Sequence, residues 1–251
     1  MKHLFAFSVS HDPGGAYTRM TPVPDQSVNI QANALVIPSQ LTKLLGGAAY
    51  VGTLGAQVRL VAPSLRQIAP EHIAPVTLQI SPTAEHVVAI DPNKIIELTA
   101  SEQLEIEENS NPAAAEQHTV CIWLADKEIL PVRGNIHSIG GTVTVTSVAG
   151  AWVNAVPALD EDLPPGRYSI VGLRVEAAGM IAVRVVVPGN AFRDGVLASA
   201  TAGVNYHNRF RWGNFGEIAQ FDTTTGFSLD LLASNAPGAA TYRIIIDIIP
   251  A

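Results

Sequence analysis

The chain has 251 residues, 47% of them hydrophobic and 15% charged, with a formal net charge of −7. That length serves one large domain or two small ones, and so low a charge density suits a protein whose surface is covered by neighbours in an assembly. The 15 Lys and Arg are scattered, with only Lys2 and Arg19 among the first 40 residues; without a clustered basic arm to displace counterions, no direct nucleic-acid binding is expected.

In chain order, the apolar run Leu4 to Val9 predicts a first β-strand, being too short for a signal core and lacking a small-x-small cleavage pattern. Short helical turns are predicted at Pro38 to Leu45 and Pro63 to Ile68, with Ser39 and Ser64 as caps. The glycine-rich Leu44 to Gly55 lacks the Lys-Ser/Thr ending of a phosphate loop and reads as a connection between strands. "HTVCIWL" (His118 to Leu124) reads as a strand whose Cys121, the single cysteine, is a small buried hydrophobe. Ala125 to Asn135 reads as a linker. Beyond it, Gly140 to Val148, Gly166 to Gly179, Met180 to Gly189 and Thr241 to Pro250 alternate and are β-branched. With 20 Gly and 17 Pro dividing short strands and no long helical pattern, the chain is all-β, as a sandwich or barrel. No apolar run reaches the roughly 20 residues of a membrane helix.

The chain also repeats itself. "VRLVAP" (Val58 to Pro63) returns as "VRVVVP" (Val183 to Pro188) after 125 residues (183 − 58), close to half the length. At the same offset Leu104-Glu105-Ile106 matches Leu229-Asp230-Leu231, and Pro112 to Ala115 matches Pro237 to Ala240. Three ordered matches predict a duplication: a first eight-stranded jelly-roll barrel over 1–125, then a linker and second barrel over 126–251. Alternation predicts Leu104, Ile106, Leu229 and Leu231 inside, with Glu105 and Asp230 pointing away from the barrel cores.

Catalytic signatures are missing from the sequence. The histidines His3, His11, His72, His86, His118, His137 and His207 stand singly, without metal-ligand spacing, and each reads as a surface or capped residue. Asp160-Glu161-Asp162 clusters oxygen ligands but reads first as a solvated turn. Glu105 and Glu107, with Glu102 and Glu108 nearby, read as the solvated side of a strand and not as a glycosidase pair. No cofactor and no enzymatic activity are expected; whether a structural metal is bound is left open.

One segment could face a ligand. "RFRWGNFGE" (Arg209 to Glu217) holds Arg209, Phe210, Arg211, Trp212 and Phe215. Alternation puts Phe210 and Trp212 on one face and the arginines on the other, so the segment reads first as a core-facing strand with an outward subunit interface, and second as an aromatic platform for sugar.

The run Gly166 to Asp194, through Arg167-Tyr168, Ala177-Ala178-Gly179, Val183 and Phe192-Arg193-Asp194, resembles the second barrel of major capsid proteins of corticoviruses, small tailless membrane-containing phages. The resemblance implies a double jelly roll, a homotrimer forming a pseudo-hexameric capsomer, and an icosahedral shell with other capsid proteins over an internal membrane. It also implies residence in the virion, assembled in the host cytoplasm. The alternatives are a jelly-roll carbohydrate-binding module and a single-barrel capsid or shell protein.

Overall fold

The computed structural model describes residues 1–11, 15–50, 58–65, 72–73, 95–109, 116–127, 132–176, 179–198, 216–233 and 238–251. Every regular element of length among them is a β-strand. The chain divides into two compact units, Met1–Glu128 and Ile129–Ala251.

In the first unit, β1 (Lys2–His11) pairs antiparallel along its length with β11 (Glu116–Ala125). The other edge of β11 takes β6 (Lys43–Tyr50), then β9 (Ile96–Glu97), while β3 (Thr21–Pro22) lies outside β1, so the order is β3-β1-β11-β6-β9. A second sheet is centred on β10 (Gln103–Glu108). One edge of β10 takes β7 (Val58–Val61) and then β8 (His72–Ile73); the other takes β2 (Thr18–Arg19) and β5 (Ala34–Val36), with β4 (Ile30–Gln31) beyond.

The second unit follows the same path. Its first sheet is β14-β12-β20-β15-β18, built from β12 (His137–Thr146), β14 (Ala158–Leu159), β15 (Arg167–Glu176), β18 (Ala219–Asp222) and β20 (Ala239–Pro250). Its second is β13-β19-β16-β17, from β13 (Trp152–Ala155), β16 (Met180–Val186), β17 (Gly195–Leu197) and β19 (Ser228–Ala233). Eight strands correspond one to one, from β1, β2, β6, β7, β8, β9, β10 and β11 to β12, β13, β15, β16, β17, β18, β19 and β20. Counted in chain order within each half, they lie as 1-8-3-6 in one sheet and 2-7-4-5 in the other.

Two details tie the halves more closely than strand order. Leu44 and Gly46 of β6 pair with Leu124 and Trp123, so Leu45 bulges; Ile170 and Gly172 of β15 pair with Ile248 and Asp247, so Val171 bulges. The same strand carries the same irregularity in each half, and a glycine follows both times. A Cβ on Gly172 would lie 2.6 Å from Asp247 Oδ2 and 3.0 Å from its Cβ, so a larger residue there would have to displace the Asp247 side chain from its place beside Arg174.

The repeated hexapeptide places Val58–Val61 in β7 and Val183–Val186 in β16, corresponding strands that both end in a turn at the proline. The match at Leu104 and Leu229 needs correction by two residues. Leu60 lies opposite Ile106, so an offset of 125 on both strands would put Val185 opposite Leu231; Val185 instead lies opposite Leu229, and Val183 opposite Leu231. A slip of two leaves every side chain on its original face, because the strand period is two.

Three local expectations change. Leu44 to Tyr50 is not a connection but most of β6, where Gly46 and Gly47 lie opposite Trp123 and Ile122 and so make room for the bulkiest residues of β11. Pro38 to Leu45 forms one turn, closed by Leu41 N–H donating to Pro38 C=O at 3.0 Å, and then enters β6 instead of a helix. At Pro63, Leu65 N–H donates to Ala62 C=O at 3.1 Å, and Ser64 bonds Glu102 rather than capping a helix; residues 66–68 lie outside the described residues.

Leu104, Ile106, Leu229 and Leu231 are all buried. In the second unit Leu229, Leu231, Val183, Val185, Ile244 and Ile246 belong to one apolar cluster between the sheets. Leu229→Ala removes a side chain of 0% exposure from it, and denaturant unfolding should show a loss of about 2–5 kcal/mol.

Candidate functional site

The repeated hexapeptide carries an arginine in the middle of an otherwise apolar strand, and the fold deals with that charge the same way twice. In the second unit Arg184 of β16 lies opposite Asp230 of β19, which lies opposite Asn154 of β13 on its other edge, while Gly195 of β17 lies opposite Arg184. These residues form one row across four strands. Arg184 Nη2 donates to Asp230 Oδ2 at 2.8 Å, Asn154 Nδ2 donates to Asp230 Oδ1 at 2.9 Å, and the Trp152 ring lies 3.8 Å from the guanidinium carbon. Arg193 Nη1 donates to the same Asp230 oxygen at 2.8 Å. Neighbouring Asp194 is buried, and its carboxylate accepts from Gly195 N–H at 2.8 Å. A Cβ on Gly195 would lie 2.1 Å from the Val183 carbonyl oxygen, so glycine alone lets β17 close on the row.

In the first unit Arg59 of β7 lies opposite Glu107 of β10, with Arg19 of β2 opposite Glu107 on the other edge and His72 of β8 opposite Arg59. Arg59 Nε donates to Glu107 Oε2 at 2.6 Å, and the Tyr17 ring lies 3.8 Å from the Arg59 guanidinium carbon. Arginine, carboxylate and aromatic ring thus recur at one place in both second sheets. Arg59 and Arg184 are separated by the 125 residues of the sequence repeat (184 − 59).

Burial separates the two rows. Arg184 and Asp230 side chains are 0% and 4% exposed, against 36% and 19% for Arg59 and Glu107. Asp230 does face away from Leu229 and Leu231, as alternation requires, yet it is enclosed in an ion cluster. Glu105 also faces away from the core, remains partly exposed and pairs with Arg19 at 2.5 Å, so Glu105 and Glu107 are each held by an arginine.

The histidines divide unexpectedly. His3 and His118 are fully buried rather than at the surface: His3 Nε2 is 3.3 Å from Asp25 Oδ2, and His118 Nδ1 is 3.3 Å from Glu108 Oε1. Glu108 belongs to the interior, not to the solvated side of β10, because it shares the inward parity of Leu104 and Ile106. His137 is exposed beside Glu161 at 3.3 Å, and Asp160 lies 3.4 Å from Arg243, so the Asp160 to Asp162 turn is partly paired within the chain. Among the described residues no three His, Cys, Asp or Glu gather to hold a metal. His86 and His207 lie outside the described residues, as do Arg209, Phe210, Arg211, Trp212 and Phe215.

The residues that matter most here, Arg184, Asp230, Trp152 and Arg193, had one legible signal: an arginine in an apolar strand, stated twice. Phe192-Arg193-Asp194 was singled out only as a run of letters; folding brings Arg193 to the carboxylate opposite Arg184.

No family model and no curated protein matches the chain. Among solved structures it aligns with the major capsid protein P2 from bacteriophage PM2 over 100% of its own length and 97% of that chain, at 11% identity and a TM-score of 0.23. A likeness that slight carries neither fold nor function.

Because a charge stranded in the interior is far costlier than one left in water, the two arginines should respond differently to loss of the carboxylate opposite. Asp230→Ala, which strands the fully buried Arg184, is expected to lower stability by about 3–5 kcal/mol, and Glu107→Ala, which leaves a partly exposed Arg59, by about 1 kcal/mol or less, both read by urea unfolding of the full chain.

Proposed function

We propose that the chain is a double jelly-roll major capsid protein, with one eight-stranded barrel over 1–125 and a linker and second barrel over 126–251. The observation that supports this best is the same strand path, 1-8-3-6 over 2-7-4-5, traced once in each half; that wiring is the double Greek key of a jelly roll. The matched bulges at Leu45 and Val171 and the arginine–carboxylate–aromatic row in both second sheets favour a tandem duplication over a single barrel with an elaborated arm.

Two similar barrels per chain suit a shell. Three chains present six barrels around one axis, so a threefold molecule fills a sixfold lattice position with one gene product. The 15% charged fraction fits a surface that neighbours cover, and obligate contacts of this kind bury more than about 2,000 Å² each. The working unit is then a homotrimer within a capsid lattice, together with other capsid proteins, in a virion with an internal membrane. Assembly, not turnover, is its activity. The segment Arg209 to Phe215 is assigned to a subunit interface on its pattern of alternating arginine and aromatic residues.

Light scattering on the purified chain, followed by negative-stain microscopy, tests the reading. Trimers or closed particles are expected. A chain that stays monomeric at high concentration and binds glycans through Phe210, Trp212 or Phe215 would overturn it in favour of a carbohydrate-binding module.

A further inference from the structure

The second unit carries an open pocket of about 480 Å³ that neither the duplication nor the shell reading uses. Its walls come from the segment joining β13 to β15 and from the turn between β18 and β19. The floor is apolar: Phe221 is 5% exposed and packs on Phe227 at 4.8 Å between ring centroids, and Leu159 and Leu163 complete it. At the mouth stands Val156, 75% exposed, an unusual position for a large apolar side chain.

The charged groups on this pocket are of one sign, beside the uncharged Thr223. Glu161 and Asp162 both line it and both are exposed, and among the described residues no lysine or arginine does. Glu161 has His137 beside it, while among the described residues Asp162 makes no hydrogen bond or ion pair. The volume lies in the range of small-molecule sites, which are mostly apolar with a few polar groups that orient the ligand. An anion would meet the carboxylates, and a fully hydrated cation would leave the aromatic floor unused. A hydrocarbon body ending in a protonated amine satisfies both, with its chain on Phe221 and Phe227 and its charge at the rim.

We propose that this pocket is a binding site for a small organic cation, a protonated amine carried on a hydrocarbon body, taken up free from solution. The residues that discriminate are Glu161 and Asp162; Leu159, Leu163, Phe221 and Phe227 supply affinity without regard to charge.

The test uses the full chain with methyl groups of Val156, Leu159 and Leu163 observed by NMR, titrated separately with n-hexylammonium, n-hexanol and hexanoate. These probes share one body and differ only in the head group. Saturable shifts of those methyls are expected, with hexylammonium binding about fivefold or more tighter than hexanol, and hexanoate weakest. In the Glu161→Gln, Asp162→Asn double variant, isosteric and at exposed positions, hexylammonium should fall to the level of hexanol while hexanol is unchanged. The proposal is overturned if those methyls show no saturable shift, if the three probes bind alike, or if the ammonium preference survives in the double variant.

Discussion

An arginine in the middle of a β-strand that otherwise packs a core must be neutralised where it stands, and both halves of this chain depend on how that is done. The neighbouring strand supplies a carboxylate directly opposite, Glu107 for Arg59 and Asp230 for Arg184, and an aromatic residue at the start of the strand beyond (Trp152) or just before it (Tyr17) lays its ring over the guanidinium. Pairing across strands fixes the register of the second sheet, since a slip of one residue would turn every side chain to the wrong face and leave the charge facing the apolar cluster. The slip of two found between the halves is the smallest that respects this limit.

The halves share a path and differ in chemistry. In the first unit the β1–β11 pair is buried on both faces: Phe5, Phe7, Val120 and Ile122 on one, and Leu4, Ala6, Cys121 and Trp123 on the other. The corresponding β12–β20 pair of the second unit buries Ile139, Val143, Ile244 and Ile246, whereas its other face carries Ser138, Thr142, Thr144, Thr241 and Arg243, largely open to solvent. The second sheets reverse the assignment. Outward residues of β10 and β7 are partly exposed ion pairs, while those of β19 and β16, Asp230, Leu232, Ala182 and Arg184, are buried. A repeated strand path leaves this freedom, because the interior constrains one face of each sheet and the surroundings decide the other.

Much of the fold was legible in the alternation of residues such as those of β12 and β20, where apolar and polar positions change with the strand period, whereas β16 was legible as a continuous apolar, β-branched run and is buried on both faces. The strand β6 was not, because its glycines and alanines carry little strand propensity of their own; they are explained only by Trp123 and Ile122 opposite them. The burial of His3, His118 and Glu108 was illegible for a related reason. Polar residues standing singly look solvated in a sequence, and their burial follows from partners that lie far away along the chain for His3 with Asp25 and across two sheets for His118 with Glu108.

By itself the sequence determined an all-β chain with a repeated strand, since strand period, turn residues and internal repetition are local properties carried by the order of residues. Only the tertiary structure decided that Arg59 stays at the surface while Arg184, the same letter in the same repeated word, lies sealed beneath Trp152 with Asp230 and Arg193. Burial is set by everything that packs on a residue, and for Arg184 that includes groups 32 residues before it and 46 after it (184 − 152 and 230 − 184), a neighbourhood that no local pattern records.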